Sequence, residues 1–388
     1  MLSVRNNLDF RLSLIVAGLL GVGLPMVFSA SHLLAFRDFG DATYFLQRQS
    51  LWVLLGVLVM LFLSRVPYRF WQRVSVVLML LTIAVLLGML LLSVTHFGAR
   101  RWLSEGSFQP SEVAKLVTII YVAHWLASRR AQLQQFTYGL IPFYVIVGGV
   151  AALVVTQPDL GTTIVIVAAS MAMFFVAGAP LLQLMVSSLA LCGAAAGALL
   201  LGSPWRMTRI LVFMDPLKDK TGDGYQIYQM LLAMGSGGLF GNGFSSLTGT
   251  IGYLPASHTD AIFAVLGNDF GIVGCALLLV LFGLLARQGL LIAQHAHDLF
   301  GRLLATGITV WLIGQALLNI ASTTASIPFT GIPLPFISFG GSALVSALAG
   351  VGVLLSIARS ARGVRRSAPE VNVHDGPLLR ARRMEQPR

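Results

Sequence analysis

Long uninterrupted runs of apolar residues, separated by short polar clusters, dominate the chain. A helix needs about 20 apolar residues to cross the hydrocarbon core of a membrane. Runs of that order recur near 12–31, 46–64, 74–94, 113–127, 138–156, 162–178, 180–202, 261–285, 303–324 and 341–358. They do not alternate apolar with polar positions, which excludes a membrane β-barrel. Residues 162–202 carry no charge but are too long for one helix, and Gly178-Ala179-Pro180 supplies the break. Residues 303–358 are also uncharged, and the Pro/Gly-rich stretch Ile327 to Gly341 predicts a loop or re-entrant segment between two helices. The predicted fold is an all-α polytopic membrane protein with about ten transmembrane helices.

Composition agrees. The chain is 56% hydrophobic and 11% charged, whereas soluble domains carry about 25% charged residues. Charge then sets the orientation. With the N-terminus inside, the short cytoplasmic loops hold Arg5, Arg11, Arg65, Arg69, Arg73, Arg129, Arg130, Arg287 and Arg302, and the tail adds the arginines from Arg359 to Arg388. This is the positive-inside pattern, with both termini cytoplasmic. Residues 1–360 form one transmembrane domain, and 361–388 form a basic cytoplasmic tail expected to be disordered. The net charge of +11 therefore reflects topology, and lipid headgroups rather than nucleic acid suit the tail. The outer side receives a large loop between helices 7 and 8 (about 203–259), a shorter one (about 95–112), the Gln157-Pro158-Asp159 break and the turn near 328–341. Function is expected to face outward. The first apolar segment lacks a small-residue cleavage site and is expected to remain as a helix. Cys192 and Cys275 lie within apolar segments and read as small buried hydrophobes.

Four polar clusters carry candidate chemistry. In Gly98-Ala99-Arg100-Arg101-Trp102, two arginines beside a tryptophan can hold a phosphate and a sugar or lipid face, or simply meet headgroups in an aromatic belt. Phe108-Gln109-Pro110-Ser111-Glu112 reads as a helix start, and Glu112 and Lys115 share a helix face at a spacing that allows an ion pair. Asp159 can cap the helix that follows Pro158. The large loop opens with Trp205-Arg206-Met207-Thr208-Arg209 and holds a glycine cluster, Gly235-Ser236-Gly237-Gly238-Leu239-Phe240-Gly241-Asn242-Gly243. This cluster is neither a P-loop nor a dinucleotide fingerprint. Flexibility near a ligand and close packing both remain open for it. Asp269, further along, could be buried opposite a cation such as Lys115. The loop ends in Tyr253-Leu254-Pro255-Ala256-Ser257-His258-Thr259-Asp260, which brings a carboxylate to the mouth of the next span. An acid there is costly to keep. With its neighbouring His it can serve as a base or help to hold a divalent cation, or Thr259 or Asp260 can cap the next helix. His295 and His297, on an inner loop, read as solvated.

Several of these segments resemble one family together. Gly-Ala-Arg-Arg-Trp with Phe-Gln-Pro-Ser-Glu-x-Ala-Lys, Gln-Pro-Asp-Leu-Gly-Thr, Gly-Ser-Gly-Gly-Leu-x-Gly, Tyr-Leu-Pro-x-x-His-Thr-Asp and the run Thr330 to Ser342 are similar to the SEDS proteins of shape, elongation, division and sporulation, the FtsW and RodA type. The likeness runs in order over about residues 10–360, and Thr330–Ser338 leans towards FtsW. The resemblance implies a multi-pass peptidoglycan glycosyltransferase of the bacterial cytoplasmic (inner) membrane. It implies polymerisation of lipid II into β-1,4-linked glycan on the outer face, with an inverting transfer and Asp260 as the essential acid and general base. It maps the family's important Trp onto Trp102 and its buried pair onto Glu112 and Lys115. Arg100, Arg101, Arg206, Arg209, His258 and Thr259 become the expected substrate contacts. A divalent cation (Mg or Mn) is conceivable at the pyrophosphate. The implied partners are the nascent glycan, a class B penicillin-binding protein transpeptidase and other divisome or elongasome membrane proteins. A lipid-linked-precursor flippase, or a weakly active scaffold that recruits a transpeptidase, is the alternative. The chain departs from the family pattern at Thr250, Ala256, Asn268 and Phe339, which removes charge near Asp260 and one hydroxyl.

Overall fold

The computed structural model describes residues 8–92, 109–180, 182–189, 193, 211–215, 222, 224–244 and 254–366. These residues are helical or irregular, with no strand among them. The helices are α1 (Leu8–Phe39), α2 (Tyr44–Arg65), α3 (Tyr68–Leu92), α4 (Pro110–Ser128), α5 (Ile141–Thr156, entered through a π-turn at Phe136–Leu140), α6 (Leu160–Val176), α7 (Tyr225–Ser236), α8 (Ile262–His295), α9 (Leu299–Thr323) and α10 (Gly341–Arg366). Seven helical segments among the described residues are long and apolar enough to cross a membrane, and α6 is a shorter apolar helix. The predicted spans at 113–127 and 162–178 correspond to α4 and α6. Most of the predicted span at 180–202 lies outside the described residues, with 182–189 helical. The break expected at Gly178-Ala179-Pro180 and the loop expected from Ile327 to Gly341 are both present, the latter beginning earlier, after Thr323.

Burial sorts the helices. α9 and α10 run through the interior, where Leu304, Ile308, Trp311, Leu312, Leu348 and Val351 are buried. α2 and α3 lie at the periphery and expose Leu54, Leu58, Phe62, Leu80 and Leu81. An apolar exposed face suits a lipid environment, because only lipid covers it without cost. The two ends of the bundle differ. One is tied by Asp298, which caps α9 through the Gly301 N–H (2.8 Å) and accepts from Tyr68 Oη and Arg69 Nε (3.0 Å each). His295 and His297 lie near it, half-buried and exposed respectively, and bond the carbonyls of Leu291 and Ser360. The opposite end gathers the polar loops described below.

Several elements differ from the expectation, among them α1, which ends at Phe39 rather than 31, and α10, which reaches Arg366 rather than 358. α8 has 34 residues and runs ten past the predicted end at 285. At 1.5 Å per residue it is about 50 Å long, well over the ~30 Å core, so it carries Arg287 beyond the hydrocarbon. Nothing between 286 and 295 breaks a helix, and a helix need not stop at the membrane surface. The large loop also contains a helix of its own, α7. Its Ile227, Met230 and Ala233 recur at helical spacing and are buried against α8.

The glycine cluster after α7 is a packing device. α8 is kinked at Gly271, whose φ of 63° and ψ of −162° are non-helical. A kink frees backbone groups that a membrane cannot leave unpaired. The cluster supplies their partners. Asn242 N–H donates to Asn268 O (2.9 Å) and Gly243 N–H to Asp269 O (3.2 Å), while Ile272 and Val273 N–H donate to Gly238 O (3.0 Å) and Leu239 O (3.2 Å). This splint demands close approach. A Cβ on Gly241 would stand 2.1 Å from Asp269 O, at a φ of +83°. Gly241→Ala is therefore expected to lower stability by roughly 2–3 kcal/mol. Gly235→Ala, with nothing within 4 Å of its Cβ, is the control. Equal thermal unfolding of the two variants in detergent would show that the splint contributes little.

Candidate active site

The turn before α8 is built around one carbonyl. Ala256 sits in the left-handed region, at φ 53°. Its carbonyl accepts from Thr259 N–H (3.1 Å), Thr259 Oγ1 (3.3 Å) and Ala261 N–H (3.1 Å). The N-cap position of α8 falls on Ala261, so neither Thr259 nor Asp260 occupies it.

The three successive carbonyls of residues 258–260 are each held by a different group. His258 O accepts from Phe339 N–H (2.8 Å), Thr259 O from Ser338 Oγ (2.6 Å) and Asp260 O from Asn319 Nδ2 (2.9 Å). Ser257 Oγ also donates to Ala30 O on α1 (2.8 Å). The main chain at Asp260 is thus fastened to α1, α9 and the α9–α10 loop. Such fastening presents a side chain with little freedom to drift. The carboxylate lies against Gly331, where a Cβ would come 3.4 Å from Asp260 Oδ2 at a φ of +66°. Glycine at 331 keeps the space beside the carboxylate open.

His258 and Thr259 do structural work in this setting. The His258 ring packs against Phe45 (4.6 Å between centroids) and Phe339 (5.6 Å), and its Nδ1 is buried without a partner. Phe339 thus faces rings. Burial pulls the His258 pKa from 6.5 down to about 4. Protonation must therefore wait until the pH falls well below 6.5, while the unfolded chain protonates near 6.5. The folded state binds fewer protons between the two values, so this contribution is complete above about 6.5 and is lost as pH falls towards 4. The loss is expected to reach no more than about 3 kcal/mol, and His258→Phe should remove it. Thermal unfolding of both proteins across pH 7 to 4 measures this, and parallel curves would count against it.

The expected ion pair is present and buried. Lys115 Nζ lies 2.9 Å from Glu112 Oε1 and 2.8 Å from Oε2, and both side chains are at most 2% exposed. Lys115 also donates to Gln315 Oε1 (2.6 Å) and stands 5.5 Å from the Trp311 ring. Asp159 caps α6 as expected, accepting from Thr162 N–H (3.0 Å), and its other oxygen accepts from Gln109 Nε2 (2.9 Å) and Ser111 Oγ (3.1 Å). Gln109 N–H donates to Ser342 Oγ (3.3 Å), which brings the starts of α4, α6 and α10 together. Asp269 is buried as anticipated, but beside Ser29 Oγ and Asn268 Nδ2 rather than Lys115, whose bonds go to Glu112 and Gln315. Asn268 joins Ser236 and Asn242 in the splint (2.8 and 3.1 Å). Cys275 is a free, half-buried thiol.

Arg100, Arg101, Trp102, Arg206 and Arg209 lie outside the described residues, as does Cys192. No group of three His, Cys, Asp or Glu able to hold a metal occurs among the described residues. The sequence reading missed Gln315, Asn319, Ser338 and Gln49, which donates to Ser338 O (3.1 Å). A signal existed for two of them. Trp311, Gln315 and Asn319 recur every four residues in an otherwise apolar span, a polar stripe on one helix face.

Comparison with known proteins places this arrangement. The FtsW/RodA/SpoVE family, described as cell cycle proteins, matches residues 10–363. The chain is 38% identical over 366 residues to stage V sporulation protein E of Bacillus subtilis (strain 168), covering 93% of this chain and 100% of that one. It is 39% identical over 346 residues to the probable peptidoglycan glycosyltransferase FtsW of Geobacter sp. (strain M18), covering 88% and 94%. Among solved structures it is similar to a chain of a peptidoglycan synthase complex that coordinates polymerization and crosslinking, with a TM-score of 0.77, 27% identity, and coverage of 91% and 98%. It is also similar to the rod shape determining protein RodA of Thermus thermophilus, with a TM-score of 0.67, 27% identity, and coverage of 90% and 96%.

Proposed function

The chain belongs to the FtsW/RodA/SpoVE family of cell cycle proteins, and from that premise we propose that Asp260 is the general base of its reaction. The protein is a multi-pass inner-membrane peptidoglycan glycosyltransferase. Its substrate is lipid II, the undecaprenyl-pyrophosphate-linked disaccharide-pentapeptide. The acceptor's GlcNAc 4-hydroxyl attacks the anomeric carbon of the lipid-linked donor. Pyrophosphate leaves from the α face and a β-1,4 bond forms, so configuration inverts. One base suffices to take the hydroxyl proton, because pyrophosphate leaves without needing an acid. The observation that supports Asp260 is its setting: a half-buried carboxylate beside Gly331, on a main chain fastened at three successive carbonyls.

The remaining roles belong to the same reading. Arg100, Arg101, Arg206 and Arg209 balance the charge that develops on the pyrophosphate, and Trp102 lies against sugar or lipid. No group of three His, Cys, Asp or Glu that would cage a resident cation occurs among the described residues. A Mg or Mn ion bound together with substrate would take Asp260 as its protein ligand and would offset the charge that develops on the pyrophosphate. The arginine pattern places the Asp260 end outside, where a class B penicillin-binding protein transpeptidase can use the growing glycan. Other divisome or elongasome membrane proteins would join that pair. Polymerisation of purified lipid II by wild type and by Asp260→Ala tests this reading against a flippase or an inactive scaffold. Glycan of wild-type yield from the Ala variant would remove Asp260 from the chemistry.

A further inference from the structure

α9 carries two buried amides whose hydrogen bonds run towards Asp260. Asn319 is fully buried, and its Nδ2 donates twice, to Asp260 O (2.9 Å) and to Ile332 O (2.7 Å). An amide nitrogen has two protons, so both are used. Its Oδ1 is buried with no partner. A buried unpaired acceptor costs roughly 1–3 kcal/mol. An apolar residue of the same size would avoid that cost, so the residue's contribution lies in its two donors. One turn earlier, Gln315 Nε2 donates to Pro333 O (2.9 Å), the residue next to Ile332. Gln315 Oε1 in turn accepts from Lys115 Nζ (2.6 Å) and Trp311 Nε1 (3.0 Å). An unbroken strut therefore runs from Glu112 and Lys115 through Gln315, the Ile332-Pro333 main chain and Asn319 to the backbone of Asp260.

We propose that Asn319 is a positioning residue for the transfer reaction, holding the Asp260 main chain at a fixed distance from the α9–α10 loop, and that Gln315 anchors that loop to the buried ion pair. This rests on Asp260 being the base. Gly331, which leaves room beside the Asp260 carboxylate, immediately precedes Ile332. A single amide thus sets both the carboxylate's backbone and the wall it faces. If the bond to Asp260 O is lost, the carboxylate keeps its chemistry but spends less time within reach of the acceptor hydroxyl. A base must lie within hydrogen-bond distance of the proton it takes, so turnover falls while substrate binding does not.

The experiment is steady-state polymerisation of purified lipid II by the full chain with its transpeptidase partner. Asn319→Leu should lower kcat by about 10- to 100-fold, with KM within about threefold of wild type. Asn319→Ser keeps a donor and should fall between the two, which also serves if the Leu variant does not fold. Asp260→Glu, which moves the carboxylate, supplies the discriminating readout. If Asn319 acts through Asp260, the double variant loses less than the product of the single losses. Wild-type kcat in Asn319→Leu overturns the proposal. So does a rise in KM alone, or losses that multiply in the double variant. Full activity in Asp260→Ala is a different result: it would remove the base itself.

Discussion

Asp260→Ala is expected to reduce glycan polymerisation by about 10²- to 10⁴-fold, the usual contribution of a positioned general base. The loss should appear in kcat, because the acceptor hydroxyl meets no base whether or not substrate is bound. Asp260→Asn should lose as much, since it keeps the size of the side chain and removes only its basicity. Both variants should remain folded. Asp260 is half-buried, and its carbonyl bonds Asn319 whatever the side chain. Thermal unfolding within a few degrees of wild type, alongside lost polymerisation, is the expected pair of results. A variant that unfolds and one that is inactive but folded separate a structural role from a chemical one. Retained polymerisation by Asp260→Asn would transfer the base role to another group.

Breaking the buried ion pair is expected to have the largest effect on stability. Lys115 and Glu112 are almost fully buried, so removing either partner leaves a charge without compensation. Such a loss typically costs about 3–5 kcal/mol. Among the described residues, Glu112→Leu leaves Lys115 with Gln315 and the Trp311 ring. Lys115→Met strands Glu112. The double variant Glu112→Leu/Lys115→Met, apolar at both positions, should recover most of the loss, because two hydrophobic residues can replace a buried pair at little net cost. Unfolding temperature in detergent and the amount of protein in the membrane fraction report this. If the double variant is no more stable than the single ones, the pair's value lies in the Lys115–Gln315 bond. In that case Gln315→Met should be equally damaging.

The spacing of Glu112 and Lys115 on one helix predicts their pairing because helix geometry is local. The same holds for Asp159, whose capping bond spans three residues. Asp269 shows where this stops. It is buried, as its place in an apolar run suggests, yet it sits beside Ser29, 240 positions away. No local pattern selects that partner over Lys115. The glycine cluster likewise leaves open whether it serves a ligand or a packing contact, until the kink at Gly271 shows which backbone groups it pairs. Asn319 is a polar residue in a span, which signals a use. Its use, holding the carbonyl of a residue 59 positions away, is a long-range fact.

The sequence by itself therefore determines the class of molecule, its helices, most of their breaks, the ion pair, the cap and the family. Each of these depends on hydropathy, short spacing or a set of motifs in order. Tertiary structure alone decides that Asp260 is not the helix cap and that His258 is wedged between phenylalanine rings. It also decides that three carbonyls in a row are fastened to separate elements. The reason is physical. In a membrane every buried backbone group needs a partner, and irregular segments such as 254–261 and 330–340 find theirs in one another and in distant helices. Those partners meet only once the bundle has closed.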